Sequence, residues 1–157
     1  MPFATGPVLM YVGGGQYRTV GPTVYVGKDD LFQIEADFPT DLASVPRLFW
    51  ALLPPSGVYE RAAVVHDWLC VHLAKGDCVA SARDADGIFR RIAKEGGTGL
   101  LTRWALWAGV RWGALFNPAR RAGWWKDAPA VLALTLLGLA VLVGVVYGLH
   151  ELINWIF

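Results

Sequence analysis

From Pro129 to Leu149 the chain runs for 21 residues, PAVLALTLLGLAVLVGVVYGL, without a charge. As a helix such a run reaches ~30 Å, the thickness of a bilayer's hydrocarbon core. A helix in a globular core is usually shorter and keeps a polar face. The flanks also suit a membrane crossing. Trp124 and Trp125 precede the run, and Trp155 and Phe157 follow it, where aromatic rings favour the membrane–water interface. Arg120, Arg121 and Lys126 lie before it, and no Lys or Arg lies after it. The positive-inside rule then places the N-terminal side in the cytoplasm and the short tail outside. Ala140, Gly144 and Gly148 form a small-xxx-small row, which suits the packing of two such helices as well as ordinary glycine usage in a membrane.

The remainder of the 157 residues suits one domain of modest size. The expected organisation is a globular domain over 1–116, a basic and aromatic hinge over 117–128, and a transmembrane helix with a short tail over 129–157. The apolar share of 55% is high for a soluble domain, and much of the excess lies in the C-terminal third. A net charge of +1 offers no overall field for nucleic acid, so none is expected as a partner. Cys70 and Cys78 have no second pair to build a metal cage and read as free thiols of a reducing compartment. The opening residues, MPFATGPVLM, lack the basic region and long apolar stretch of a secretory signal. This also favours a cytoplasmic domain.

Within residues 8–36 the segments VLMYV, QYRTV, PTVYV and LFQIE are rich in β-branched and aromatic residues. Gly13-Gly14-Gly15, Gly21-Pro22 and Gly27 to Asp30 punctuate them. A small antiparallel sheet or meander is expected. Phe38 to Pro46 reads as a polar loop, and Val45 to Leu53 as a short helix stopped by Pro54-Pro55. From Tyr59 to about Ala74, apolar residues recur at helical spacing, with His66 in the middle of their face. Ser81 is an N-cap with Asp84 at the third helical position, a variant of the capping box. Ala82, Ala85, Ile88, Phe89 and Ile92 form the buried stripe of that helix, which Gly96-Gly97 ends. Gly99 to Phe116 reads as a third helix, lying on the membrane surface or in the core. The fold class is α+β: a small N-terminal antiparallel sheet packed by about three helices, then a C-terminal transmembrane helix.

Chemistry, if any, must come from a few polar residues placed where the pattern expects a turn or burial. Asp86 borders the apolar stripe of its helix, where a carboxylate needs a partner: His66, an arginine or a metal. Asp41 and Ser44 sit in a turn, and Asp67 follows His66. A histidine oriented by a carboxylate acts as a general base. One imidazole with several carboxylates suits a divalent cation. The spacing does not choose between these two. Ser44 lacks the G-x-S-x-G context of a nucleophile elbow.

These same residues carry a likeness. Phe38, Thr40, Asp41, Ala43, Ser44 and Pro46 fit a Phe-x-Thr-Asp-x-Ala-Ser-x-Pro segment. Ala62 or Ala63, His66 and Asp67 fit an Ala-x-x-x-His-Asp helix. Arg83, Ala85 and Asp86 fit an Arg-x-x-Ala-Asp helix, with one residue fewer between Arg83 and Ala85. In this order they resemble an uncharacterised family of phage and prophage proteins, over about residues 16–115. The resemblance implies a phage-type origin and a cluster of Asp41, His66, Asp67 and Asp86; it implies no activity. The His-Asp helix beside a second Asp is also similar to secreted phospholipases, but their disulfide framework is missing here, so that likeness is an analogy.

The leading expectation is a phage-type, membrane-anchored protein with a structural or interaction role in the virion, in genome delivery or at the host envelope. Its partners would be membrane lipid, other phage proteins or a second copy through Ala140, Gly144 and Gly148. The rival is a membrane-proximal hydrolase with His66 as base, Asp86 as its orienter, and Asp41 and Asp67 as ligands of a divalent cation. If His66 and Asp86 are sealed from solvent and satisfied by backbone partners, the hydrolase reading fails; if they face a pocket with an ion, it gains.

Overall fold

The computed structural model describes residues 3–27, 30–42, 57–78 and 80–157. Ser44, the short helix read at Val45 to Leu53 and the Pro54-Pro55 stop lie outside the described residues. Six short strands come first: β1 (Phe3–Thr5), β2 (Leu9–Gly13), β3 (Gln16–Thr19), β4 (Thr23–Val26), β5 (Leu31–Ile34) and β6 (Pro39–Thr40). Among the described residues four helices follow: α1 (Glu60–Lys75), α2 (Ala82–Glu95), α3 (Leu100–Phe116) and α4 (Ala128–Ile156), with a 3-10 turn at Trp124–Lys126 before α4. The α+β class and the order of parts agree with the sequence pattern.

The strands form two three-stranded antiparallel sheets, ordered β1-β4-β5 and β2-β3-β6, rather than one. The glycine turn explains part of this. Gly13, Gly14 and Gly15 all take positive φ, which glycine adopts without penalty and which reverses the chain tightly into the β2–β3 hairpin. The other sheet alternates as a half-buried strand should: Phe32 and Ile34 of β5 point inward, and Leu31 and Gln33 outward. Thr19 ties the end of β3 to the segment before β6. Its hydroxyl donates to the Glu35 carbonyl at 2.9 Å and accepts from the Phe38 amide at 2.9 Å. That closure pairs Tyr17 with Thr40 and carries Thr40 to α1.

The helices pack in sequence, α1 on α2, α2 on α3 and α3 on α4, while α1 also meets β5 and β6. In α1 five consecutive residues from Ala62 to His66 are buried, together with Leu69, as befits a helix covered on several sides. Burying a side chain such as Leu69, Ile88 or Phe89 contributes about 1.5–3 kcal/mol each. The α2 start is the expected capping box: Ser81 Oγ accepts from the Asp84 amide, and the Asp84 carboxylate accepts from the Ser81 amide. Its end brings Gly96 against the body, where a Cβ would stand 2.7 Å from the Val58 carbonyl oxygen.

A second apolar cluster joins Trp107, Ala108 and Ala114 of α3 with Trp124, Ala128 and Val131. Trp124 is therefore turned into the protein, its indole N–H donating to the Arg111 carbonyl at 2.6 Å, while Trp125 is 76% exposed. The first two turns of α4 belong to this cluster. Trp112 Nε1 donates to Thr135 Oγ1 at 2.9 Å, and that hydroxyl donates to the Val131 carbonyl at 2.8 Å. From Leu136 onward every residue of α4 is exposed. Its most apolar window has a mean hydropathy of 2.6, so among the described residues one helix is long and apolar enough to span a membrane.

Candidate functional site: a buried His-Asp-Arg cluster

Helical periodicity brings His66 and Asp86 together. His66 lies on the buried face of α1 and Asp86 on that of α2, where these helices cross. His66 Nε2 stands 2.7 Å from Asp86 Oδ1. Asp86 has no solvent exposure and His66 only 6%. Two arginines complete the cluster. Arg111 of α3 donates from Nη1 to Asp86 Oδ2 at 2.8 Å. Arg120, from the stretch after α3, donates from Nη2 to Asp86 Oδ1 and to the Val110 carbonyl. The same Nη2 lies 3.1 Å from His66 Nε2.

A further carboxylate balances the second guanidinium. Asp127, the residue before α4, faces Arg111 Nη2 with Oδ2 at 3.3 Å and accepts from Arg83 Nε at Oδ1, 2.9 Å away. Asp86 and Asp127 thus face three guanidiniums, those of the buried Arg111 and Arg120 and of the largely exposed Arg83, so a protonated imidazole would add one more cation to the centre. Burial holds the His66 pKa below its ordinary value, outweighing the pull of Asp86. Burial alone would raise Asp86, but its hydrogen bond with His66 and the nearby guanidiniums hold it down as a carboxylate. The neutral tautomer that satisfies Asp86 carries its proton on Nε2.

Asp67 sits on the other side of the ring. Its Oδ2 accepts from the Thr40 hydroxyl, which itself accepts from the Leu42 amide at 3.0 Å. Its Oδ1 is 4.0 Å from His66 Nδ1. Burial pushes the Asp67 carboxyl up to about 7, with the negative charge of Asp41 adding to the shift. Cys70 Sγ approaches the His66 ring nitrogens at 3.7 and 3.8 Å, and burial raises its thiol to about 12. That thiol is no ready nucleophile.

Of the four candidate residues, His66, Asp86 and Asp67 are adjacent, whereas Asp41 is exposed beyond Thr40. Among the described residues no group of three or more His, Cys, Asp or Glu side chains is placed to hold a metal ion. Guanidinium N–H groups and an imidazole engage both Asp86 oxygens. As placed, the cluster links α1, α2, α3 and the stretch before α4 electrostatically, with the Asp67 carboxyl, raised to about 7 by burial, beside it.

Sequence reasoning missed Arg111, Arg120 and Asp127. A usable signal existed for Arg111, which lies four residues after Trp107 and three before Ala114 on one buried face. Residues 17–110 match the family described as "Protein of unknown function (DUF1353)". Arg111, Arg120, Asp127 and all of α4 lie beyond the matched segment. No curated protein and no solved structure matches the chain.

Proposed function

Since the chain belongs to the DUF1353 family of proteins of unknown function, whose description assigns no activity, we propose a function from its geometry: a single-pass membrane protein with a structural or interaction role. The closed His66–Asp86–Arg111–Arg120 cluster is the observation that carries this reading. Asp86 is sealed from solvent, and its oxygens are fully engaged by the protein itself. Such a centre fixes α1, α2, α3 and the stretch before α4 relative to one another.

The domain belongs on the cytoplasmic side. Arg120 is held in the core, but Arg121 and Lys126 remain exposed before α4, and no Lys or Arg lies between Ala128 and Phe157. The three motifs around Asp41, His66 and Asp86 support a phage-type origin, with the virion or the host envelope as the setting. The test is expression of the full chain in bacteria with a reporter enzyme fused after Phe157 that is active only outside the cytoplasm. Alkaline-resistant membrane association with an active reporter is expected. Release of the chain by alkaline carbonate would overturn the anchor, and a silent reporter the orientation.

One observation favours the rival, a membrane-proximal hydrolase: burial raises the Asp67 carboxyl to about 7, and its Oδ1 lies 4.0 Å from His66 Nδ1, a gap that a small side-chain movement would have to close before a proton could pass. On that reading Asp67→Asn abolishes turnover of an ester or amide substrate and leaves stability nearly intact. On the structural reading Asp67→Asn alters the pH dependence of stability, and no turnover exists to lose.

A further inference from the structure

The register of α4 in a bilayer decides where the domain sits. All 29 residues from Ala128 to Ile156 reach about 43 Å, more than the ~30 Å of hydrocarbon to be crossed. Only part of that length is both free of the domain and free of charge. The domain packs on α4 as far as Thr135, and the polar residues His150, Glu151 and Asn154 follow Leu149. The stretch between, Leu136 to Leu149, spans about 21 Å and falls a third short. A domain standing clear of the membrane would therefore draw Glu151 and Asn154 into hydrocarbon, where ionisable groups are costly. The uncharged run from Pro129 to Leu149 fits without that cost, provided the domain sinks with it.

We infer that the domain is seated in the bilayer surface, with Trp112, Trp125 and the surrounding end of α3 in the interfacial layer of the lipid, rather than held off on a tether. The inference rests on the membrane-spanning reading of α4. Thr135 lies six residues past Pro129, so the Trp112 contact sinks about 9 Å below the start of the run. That falls within the ~5–10 Å at which interfacial helices bury their apolar faces.

The junction is built for such a depth. The polar atom of the Trp112 side chain is satisfied by Thr135, and the Thr135 hydroxyl by Val131, so neither needs water. Trp125 projects into solvent with 76% exposure three residues before α4 begins, at the level where an indole favours the interface. Arg121 and Lys126 are exposed on the same stretch and meet headgroup phosphates there. Asp127, with Arg83 and Arg111, marks the waterward limit of the junction.

The full chain, reconstituted into vesicles of phosphatidylcholine and phosphatidylglycerol, tests this with nitroxide labels. Cys70→Ala and Cys78→Ser clear the background. Single labels then go on Gly113→Cys, where a Cβ meets nothing within 4 Å, on Trp125→Cys, on Leu142→Cys in mid-span and on Gln16→Cys in β3. Each site's collision rates with oxygen and with a water-soluble nickel chelate report its depth. Leu142 is expected deep and Gln16 aqueous. Gly113 and Trp125 are expected at the interface, with chelate collisions several-fold below those at Gln16. If Gly113 and Trp125 match Gln16 while Leu142 is deep, the seating is wrong and the anchor stands. If Leu142 is aqueous, the anchor falls and the seating with it. A second measurement avoids labels on the junction. In Trp155→Phe protein, lipids brominated near the headgroup should quench the remaining tryptophans strongly, and quenching no greater than by an aqueous quencher refutes the seating.

Discussion

Arg111 donates to Asp86 across 2.8 Å with neither side chain more than 1% exposed. The other arm of the same guanidinium faces Asp127, the residue that precedes α4. One arginine thus joins the polar centre of the domain to the root of the apolar helix. The charge balance of this centre yields the first prediction. Asp86→Ala leaves two buried guanidiniums without their shared carboxylate, a loss that costs about 3–5 kcal/mol. Denaturant unfolding of the full chain in detergent micelles measures it, and a loss below about 1 kcal/mol would show that the pair is solvated.

His66 is neutral in the fold because burial lowers its pKa. The unfolded chain therefore takes up more protons as pH falls through about 6.5, and the fold loses stability on the acid side. The His66→Gln variant keeps a donor for Asp86 but cannot titrate at this position. Wild type should lose ground against this variant between about pH 7.5 and pH 5. A difference that stays flat over this window contradicts a buried neutral imidazole.

Asp67 has the opposite sign. Its folded-state pKa of about 7 stands above the ordinary 3.8, so the folded state binds the extra proton between these values. Its contribution is complete in acid and lost as pH rises toward 7. Asp67→Asn is neutral at every pH and should gain stability relative to wild type from about pH 4.5 to pH 7.5, read from paired urea titrations. No gain would mean that the carboxyl is ionised throughout.

Ser81 closes the start of α2 through a reciprocal pair of hydrogen bonds with Asp84. Ser81→Ala removes one acceptor and should cost about 1 kcal/mol. Thermal unfolding followed by circular dichroism reports this, and an unchanged midpoint would rule the cap out as a contributor.

Val131 is fully buried whereas Val143 is 66% exposed. Val131→Ala should destabilise the domain by about 2 kcal/mol through lost packing against the tryptophans of α3, and Val143→Ala by almost nothing. Equal effects would mean that the first turns of α4 are not part of the domain.

The elements that follow from local pattern were legible. The helix read from Tyr59 to about Ala74 runs from Glu60 to Lys75, and the one read from Gly99 runs from Leu100 to Phe116. The Ser81–Asp84 cap follows from residue type and spacing alone. The His66–Asp86 encounter was foreseeable because each residue interrupts an apolar stripe, and a buried polar group must find a partner. Less legible were the division of the strands into two sheets and the inward turn of Trp124, which sequence alone assigned to the membrane interface.

The sequence by itself determined the apolar helix, the three helices before it and the two residues at the heart of the cluster. Length, periodicity and the absence of charge are properties of contiguous residues. Only the tertiary structure decided what meets Asp86. Arg111 and Arg120 come from 25 and 34 residues away; the helical face of Arg111 hints at its burial, but nothing local to either arginine names Asp86 as its partner. Their burial depends on how α1, α2 and α3 cross, because desolvating a guanidinium is tolerable only where folding has already placed a carboxylate. The same packing decided that the long apolar helix begins inside the domain.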